Sequence, residues 1–251
     1  MSRIALITGA TSGIGWATAV RLAQEGIDLI LCGRRAERLA ELERTVSAAN
    51  VKVCLLTFDV RDRKAVETAI ASLPAEWQAI DCLINNAGNA HGLSPIQDGD
   101  PDDWDMMLDS NVKGLLYVSK AVMPGMVARQ RGHIVNLGSI AGKETYPNGN
   151  VYCASKAAVQ ALTDGMRLDL NPYGIKVTGI HPGMVETEFS NIRFKGDEQR
   201  AANVYKGLQP LTADDIADTI VFVLTRPPHV VLADIVLYPV AQASATVLKR
   251  T

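Results

Sequence analysis

Seven short apolar runs, separated by longer stretches with helical periodicity, constrain the fold of this chain more than any other feature. The runs do not alternate between apolar and polar positions, which is typical of parallel strands covered on both faces. They lie at 3–8, 28–32, 52–58, 81–85, 132–138, 175–181 and 233–239. The helical patterns lie near 14–25, 36–49, 62–73, 102–130, 151–171 and 213–225. Right-handed strand–helix–strand crossovers then predict an α/β fold, a doubly wound Rossmann-type parallel sheet with helices on both faces.

One stretch fits this alternation poorly. Residues 183–212 are polar and irregular, and a loop of that length in a compact domain is more often an active-site lid than a plain connection. No repeat, low-complexity tract or linker interrupts the rest of the chain. We therefore predict a single domain over residues 1–251, with a substrate lid at about 183–212.

Composition and charge argue against several classes of partner. The net charge is −2 and the basic residues are scattered, whereas nucleic-acid binding needs a clustered basic face. No apolar run reaches the ~20 residues that span a bilayer. The cysteines show no CxxC spacing and the histidines are dispersed, so we predict free thiols in a reducing cytoplasm and no metal site. These residues are Cys32, Cys54, Cys82, Cys153, His91, His133, His181 and His229.

A glycine-rich loop directly follows the first predicted strand and opens the first helix, in the segment ITGATSGIGWATAVRLA. Glycine allows a backbone to turn tightly and to approach a pyrophosphate, and a helix N-terminus favours its charge. The spacing is G-x-x-x-G-x-G rather than the common G-x-G-x-x-G. The predicted dinucleotide-binding residues of this loop are Gly9, Thr11, Ser12, Gly13, Ile14 and Gly15.

The end of the second strand indicates which dinucleotide binds. An acidic residue there would hydrogen-bond a ribose 2′-hydroxyl, but the sequence has Arg34 and Arg35. Two guanidinium groups match the charge and acceptors of a 2′-phosphate. The sequence therefore predicts NADP(H) as the cofactor.

The third and fourth strands add residues to the same predicted site. Asp59 and Val60 end the third strand, where Asp59 is placed to meet the adenine amino group. Asn86, Ala87 and Gly88 follow the fourth strand, beside the point where the strand order reverses and ligands bind in such sheets.

Three further residues point to proton transfer. Ser139 follows the fifth strand, and Tyr152 and Lys156 lie one helical turn apart, so that their side chains stack on one face. A tyrosine normally has a pKa near ~10, and a lysine ammonium within about 4–6 Å can lower it by 1–3 units. Ser139 can hold a substrate oxygen while Tyr152 exchanges its proton, which is acid–base catalysis coupled to hydride transfer.

Together, the motifs TGATSGIG, NNAG, a serine after the fifth strand and YCASK strongly resemble the short-chain dehydrogenase/reductase family, over residues 3 to about 240. The resemblance implies that Tyr152 is the general acid/base, that Ser139 positions the substrate, and that Lys156 binds the nicotinamide ribose and tunes Tyr152. It assigns Asn111, in SNVKG, to a proton relay through water. It also implies a homotetramer whose dimers pair through the helices at 102–130 and 151–171.

Several stretches are similar to one subgroup, the NADP-dependent 3-hydroxy acid (serine/allo-threonine) dehydrogenases. These stretches are GRRAERL, SLPAEW, VMPGMV, GHIVNLGS, GNVY and TEFSNIRFKGD. The subgroup oxidises the 3-hydroxyl of small acids or reduces the matching semialdehydes, and reduction of sulfoacetaldehyde to isethionate is a related reaction. Such substrates carry an anion, for which Arg193 and Lys195, in the lid stretch SNIRFKGD, are the available cations, and Arg193 is our candidate.

The segment after the sixth strand departs from this subgroup. It reads PGMVETEF, one residue shorter than a serine dehydrogenase would have, and it carries Glu186. The resemblance places this segment over the nicotinamide, through Pro182, Gly183, Val185 and Thr187. This difference weakens the prediction of the substrate but does not affect the prediction of the cofactor.

Other functions remain open at this point. The chain could be a sulfoacetaldehyde reductase, a broad-specificity carbonyl reductase or a 3-oxoacyl reductase, although the last would need a basic patch for a carrier arm beside the site. A non-catalytic dinucleotide sensor would commonly lack part of the Tyr–Lys pair, and both residues are present here.

Overall fold

The computed structural model describes residues 3–251, and its centre is one parallel sheet of seven strands. The strands are β1 (Ile4–Thr8), β2 (Asp28–Gly33), β3 (Val53–Thr57), β4 (Cys82–Asn85), β5 (His133–Leu137), β6 (Lys176–Pro182) and β7 (Asp234–Leu237). Their order is β3-β2-β1-β4-β5-β6-β7, and every neighbouring pair is parallel. The predicted doubly wound sheet of seven strands is confirmed.

Helices cover both faces of this sheet. They are α1 (Gly13–Gln24), α2 (Ala36–Val46), α3 (Arg63–Ala71), α4 (Pro101–Leu108), α5 (Leu115–Arg129), α6 (Asn150–Leu170), α7 (Phe189–Arg193), α8 (Glu198–Tyr205) and α9 (Ala213–Leu224). Two clusters of buried apolar residues result. One packs α1, α2 and α9 against the sheet and the other packs α3, α5 and α6 against the opposite face. The strands are buried on both faces, which explains why their sequences are apolar throughout.

The predicted long helix at 102–130 is divided in the structure. A π-helical segment, Asp109–Gly114, separates α4 from α5. Ser110 bonds back to the Met106 carbonyl at 2.5 Å, and a Cβ on Gly114 would lie 2.7 Å from Val60. The chain therefore changes its helical pitch where it passes closest to the loop after β3. Periodicity could not show this, because the apolar pattern continues through the segment.

The polar composition of the segment 183–212 suggested an irregular loop, but the segment is only partly irregular. It contains the short helices α7 and α8, and Asp197 caps α8 by accepting the Arg200 N–H at 3.0 Å. Helices this short depend on tertiary contacts more than on propensity. Among residues 3–251, no helix is long and apolar enough to cross a membrane.

Candidate active site

A cavity of about 890 Å³ opens at the carboxyl edge of the sheet, where the strand order reverses between β1 and β4. Ligands of open α/β sheets bind at such a reversal. The predicted site residues that line it are Gly9, Thr11, Ser12, Gly13, Ile14, Arg34, Arg35, Asp59, Val60, Asn86, Ala87, Gly88, Ser139, Tyr152, Lys156, Pro182, Gly183, Val185, Thr187 and Arg193. Two of the predicted residues, Gly15 and Asn111, are not part of its wall.

The loop between β1 and α1 takes its shape from glycine. Gly9 and Gly13 have φ values of +66° and +52°, in the left-handed region that favours glycine. A Cβ on Gly15 would lie 2.4 Å from the Gly9 carbonyl oxygen. The Ser12 side chain caps none of the N–H groups of α1, which leaves donors at the helix N-terminus. A close backbone approach with free N–H groups fits a pyrophosphate.

The segment after β4 is bonded directly to this loop. Asn86 Nδ2 donates to the carbonyl oxygens of Thr8 and Gly9, at 2.9 and 3.2 Å. Thr8 Oγ1 accepts the backbone N–H groups of Asn86 and Ala87, both at 3.0 Å. The two predicted cofactor segments therefore form one connected wall of the cavity.

Arg34 and Arg35 lie at the end of β2, on the rim of the cavity. Arg35 donates to Thr11 Oγ1 through Nε and Nη2, at 3.2 and 3.1 Å, and its Nη1 lies 3.2 Å from Glu188 Oε2 in the segment after β6. Arg34 is more exposed and lies 3.7 Å from Asp59 Oδ2. Two guanidinium groups therefore converge where a 2′-phosphate is expected.

Asp59 lines the same end of the cavity, but its carboxylate is already bonded to a guanidinium. Arg61 Nη2 lies 2.6 Å from Asp59 Oδ2, and Arg61 Nε lies 3.0 Å from Oδ1. Burial raises the pKa of Asp59, but the hydrogen bonds and charge of Arg61 outweigh it and hold the pKa below its ordinary value. An adenine amino group would therefore share this carboxylate with Arg61.

At the other end of the cavity, Ser139, Tyr152 and Lys156 are all buried. Tyr152 lies in the first turn of α6, and Ser139 is close enough to its hydroxyl to lower its pKa. Ser139 Oγ also accepts the Ala141 N–H at 3.1 Å, which fixes the serine rotamer. Lys156 Nζ donates to the carbonyl oxygen of Leu137 at 2.9 Å. The three predicted side chains thus meet around one end of the cavity.

The pKa of Tyr152 differs from the sequence expectation. Burial raises it above its ordinary value and Tyr146 adds to this, while Ser139 and the charge of Arg193 act in the opposite direction. Burial also lowers the pKa of Lys156 to about 8. In the protein alone, desolvation therefore raises the pKa of Tyr152, contrary to the lowering that we predicted from a neighbouring lysine.

Asn111 lies in the π-helical segment and is buried. Its Oδ1 accepts the Asn89 N–H at 2.8 Å, and its Nδ2 donates to the Asn89 carbonyl and to Ser155 Oγ, at 2.8 and 3.0 Å. Both ends of the side chain thus bond to protein groups. They tie the segment after β4 to α6, beside Lys156.

The short helix α7 crosses the cavity at the reacting end. The Arg193 guanidinium lies 5.4 Å from the centre of the Tyr152 ring, and its Nη2 donates to the Tyr146 hydroxyl at 2.9 Å. Its Nε donates to the Gly92 carbonyl oxygen at 3.3 Å. The Phe189 ring packs on Tyr152 with 5.7 Å between the ring centroids. The lid therefore places the Arg193 guanidinium and the Phe189 ring against the Tyr152 side chain.

Two other charged residues of the lid, Lys195 and Glu186, are not part of the cavity wall. Lys195 pairs with Asp103 at 2.9 Å and with Asp100 at 3.4 Å. Glu186 is exposed, and it is not part of the cavity wall. The shortened segment after β6 therefore does not place its extra carboxylate over the cavity.

Comparison with known proteins decides the family. Residues 3–198 match the short chain dehydrogenase family. The chain belongs to this family. The predicted resemblance is confirmed.

Curated members of the family resemble the chain along nearly its whole length. It is 46% identical over 243 residues to the NADP-dependent 3-hydroxy acid dehydrogenase YdfG of Escherichia coli (strain K12), covering 96% of this chain and 97% of that one. It is also 46% identical over 244 residues to sulfoacetaldehyde reductase 2 of Chromohalobacter salexigens, covering 97% and 96%.

Among solved structures of the family, the closed form of a serine dehydrogenase complexed with NADP+ superimposes with a TM-score of 0.93. It is 44% identical, and 99% of each chain is covered. The predicted similarity to the 3-hydroxy acid dehydrogenase and sulfoacetaldehyde reductase subgroup is confirmed.

Sequence reasoning missed several residues of this family member's cavity. Tyr146 bonds to Arg193, Arg61 bonds to Asp59, and Glu188 bonds to Arg35. Gln242 is buried, and its Oε1 accepts the Met184 N–H at 2.9 Å, which anchors the segment after β6. None of the four belongs to a spaced motif. The one available signal was the aromatic residue in the YPNG turn directly before α6.

Proposed function

We propose that this protein is an NADP(H)-dependent oxidoreductase that interconverts a small 3-hydroxy acid, or a hydroxy sulfonate, with the corresponding aldehyde. The observation that carries the proposal is the Arg193 guanidinium 5.4 Å from the Tyr152 ring, at the reacting end of a dinucleotide-shaped cavity. The names of the two curated relatives, a 3-hydroxy acid dehydrogenase and a sulfoacetaldehyde reductase, support both substrate classes.

NADP(H) is assigned from this chain's own residues as well as from the relatives. The glycine loop and the N-terminus of α1 would hold the pyrophosphate, and Arg34 and Arg35 would hold the 2′-phosphate. Asn86, Ala87 and Gly88, with Pro182, Gly183, Val185 and Thr187, would enclose the rest of the dinucleotide. Bound there, the nicotinamide supplies or accepts a hydride.

The proton is assigned to Tyr152. Because burial raises its pKa, Tyr152 is a neutral phenol at pH 7 and holds the proton that aldehyde reduction consumes. Ser139, which lines the same end of the cavity as that hydroxyl, would hold the carbonyl oxygen beside it. Lys156, mostly protonated at pH 7 with a pKa of about 8, would stabilise the phenolate left after transfer. Asn111 would hold α6 against the segment after β4 and serve the proton relay that the family resemblance implies.

Arg193 would select the anionic end of the substrate. Its guanidinium is half-buried and already oriented by Tyr146 and the Gly92 carbonyl, so little side-chain entropy is lost on binding. A carboxylate and a sulfonate both accept from such a donor set. The geometry therefore favours small anionic aldehydes without choosing between the two groups.

A homotetramer in the cytoplasm completes the proposal. Leu108 on α4, Leu116 on α5 and Leu168 on α6 are 37%, 37% and 76% exposed, which supports pairing through these helices. Sedimentation would test it, and a monomer would contradict it.

The decisive experiment compares anionic with neutral aldehydes, following NADPH oxidation at 340 nm. Sulfoacetaldehyde, malonate semialdehyde and methylmalonate semialdehyde are set against propanal, with Arg193→Ala and, as the matched lid control, Lys195→Ala. We expect Arg193→Ala to lower kcat/KM for the anions by ~10²-fold, about 2.7 kcal/mol, with propanal almost unaffected. Lys195→Ala should change neither. Equal turnover of propanal and the anions by the wild-type enzyme would indicate a broad-specificity carbonyl reductase instead.

A further inference from the structure

The segment that carries Arg193 also reaches the opposite end of the cavity. Glu188 directly precedes α7 and contacts Arg35, while Phe189 and Arg193 contact Tyr152. Thr187 packs on the phosphate loop, since a Cβ on Gly13 would lie 3.3 Å from it. One stretch of seven residues therefore touches both the arginine assigned to the 2′-phosphate and the tyrosine assigned to the chemistry.

Arg35 is held independently of Glu188. Its Nε and Nη2 donate to Thr11 Oγ1, and Nη2 also donates to the Thr11 carbonyl at 3.2 Å. Only Nη1 points to Glu188, 3.2 Å from Oε2. Thr11 is buried and belongs to the glycine loop. Removing the Glu188 charge should therefore leave the guanidinium in place.

We propose that Glu188 is a cofactor-specificity residue that opposes the 2′-phosphate of the dinucleotide at Arg35. The inference rests on the proposed function, because it requires Arg35 to bind that phosphate. A phosphate dianion and a carboxylate at one guanidinium group repel each other, whereas the uncharged 2′-hydroxyl of NADH meets no such repulsion. Glu188 thus weakens NADPH binding and narrows the difference between NADPH and NADH.

The neighbouring charges do not cancel this effect. Arg38 is already paired with Glu41 at 2.6 Å, and Arg34 lies 3.7 Å from Asp59. The side chains of Arg35 and Glu188 are both 46% exposed, so the repulsion is screened by salt and should be moderate. We expect a change of about fivefold at low ionic strength.

The test uses adenosine 2′,5′-bisphosphate, which carries the 2′-phosphate without the nicotinamide, and titration calorimetry on the intact protein. Glu188→Gln and Glu188→Ala should bind it about fivefold more tightly than wild type, with the gain fading in ~0.5 M salt. Binding of 5′-AMP should not change. Glu186→Gln is the matched control, because Glu186 lies two residues away, is exposed and is not part of the cavity wall. The NADPH-to-NADH ratio of kcat/KM should rise by the same factor.

Two results would overturn the inference. Affinity within ~1.5-fold of the Glu186→Gln control would show that Glu188 does not sense the phosphate. Weaker binding would show that it orients Arg35 instead. Arg35→Ala separates this from failure of the proposed function: if that variant keeps wild-type affinity for the bisphosphate, the assignment of the 2′-phosphate to Arg35 is wrong. If it loses affinity while the Glu188 variants stay unchanged, only the present inference fails.

Discussion

The two ends of the cavity differ in the groups that form their walls. At the glycine loop of the phosphate end, the wall is backbone: Gly9 and Gly13 hold left-handed conformations, and Asn86 bonds to main-chain carbonyls. At the reacting end, the wall is side chains, with Arg193 and Phe189 reaching Tyr152 from a five-residue helix.

From this difference we expect dinucleotide binding and substrate discrimination to be separable in this protein. Backbone N–H groups carry no titratable charge and cannot be changed without changing the fold of the loop. Side chains on a short helix can be replaced one at a time. We therefore expect changes at the phosphate end to act on dinucleotide affinity, and changes at the reacting end to act on turnover and substrate choice.

The largest effect should come from Tyr152→Phe, which keeps the ring and removes the proton. General acid catalysis is worth about 10²–10⁴-fold, so we expect kcat/KM for the best aldehyde to fall ~10³-fold. NADPH affinity, measured by fluorescence titration, should stay within ~3-fold of wild type. A variant that turned over within ~10-fold of wild type would assign the proton to another group.

Gly15→Ala should lower NADPH affinity more than turnover, which is the reverse of the pattern expected for Tyr152→Phe. Its new Cβ would lie 2.4 Å from the Gly9 carbonyl oxygen and 2.5 Å from Asn86 Nδ2, closer than real Cβ atoms approach other atoms. The loop must shift, so we expect the NADPH dissociation constant to rise ~10²-fold with a smaller loss of kcat at saturation. Fluorescence titration measures it.

Gly165→Ala is the matched control for that loop. Gly165 lies inside α6, and a Cβ there would meet nothing within 4 Å. We expect unchanged NADPH affinity and a free energy of unfolding higher by about 0.5–1 kcal/mol, since alanine favours a helix over glycine. If Gly15→Ala bound NADPH as tightly as this control, the pyrophosphate would not lie against the loop.

The same contrast explains how much the sequence could predict. Glycines that set a backbone path leave a spaced pattern, so the glycine loop, the doubly wound parallel sheet and the carboxyl edge that carries the cavity could be predicted from the sequence. Ser139, Tyr152 and Lys156 could also be predicted, because Tyr152 and Lys156 lie one helical turn apart and Ser139 follows the fifth predicted strand.

Contacts between side chains that lie far apart in the sequence leave no spaced pattern in it. Arg193 was one of two candidate cations in the stretch SNIRFKGD, and only the structure shows that it contacts Tyr146 while Lys195 pairs with Asp103. The raised pKa of Tyr152 was missed because proximity of a lysine can be inferred from spacing, whereas the depth of burial that outweighs it cannot.

The smallest expected effect on turnover is a pH dependence that separates the two ends of the cavity. Burial lowers the pKa of Lys156 to about 8, so at pH 9 only about one molecule in eleven keeps the ammonium that we propose stabilises the Tyr152 phenolate. Tyr152 itself, with its pKa raised, remains a phenol at that pH. We expect kcat/KM for aldehyde reduction to fall about tenfold between pH 7 and pH 9.

Dinucleotide recognition should not follow that titration. A 2′-phosphate has its second pKa near ~6, and guanidinium groups do not titrate in this range, so binding of adenosine 2′,5′-bisphosphate should be nearly constant from pH 7 to pH 9. A parallel fall in both quantities would mean that the two ends are not independent. A flat kcat/KM profile would mean that the charge of Lys156 is not needed for proton transfer. A fall in kcat/KM alone, with its midpoint near pH 8, is what a titrating Lys156 at one end and groups that do not titrate in this range at the other require.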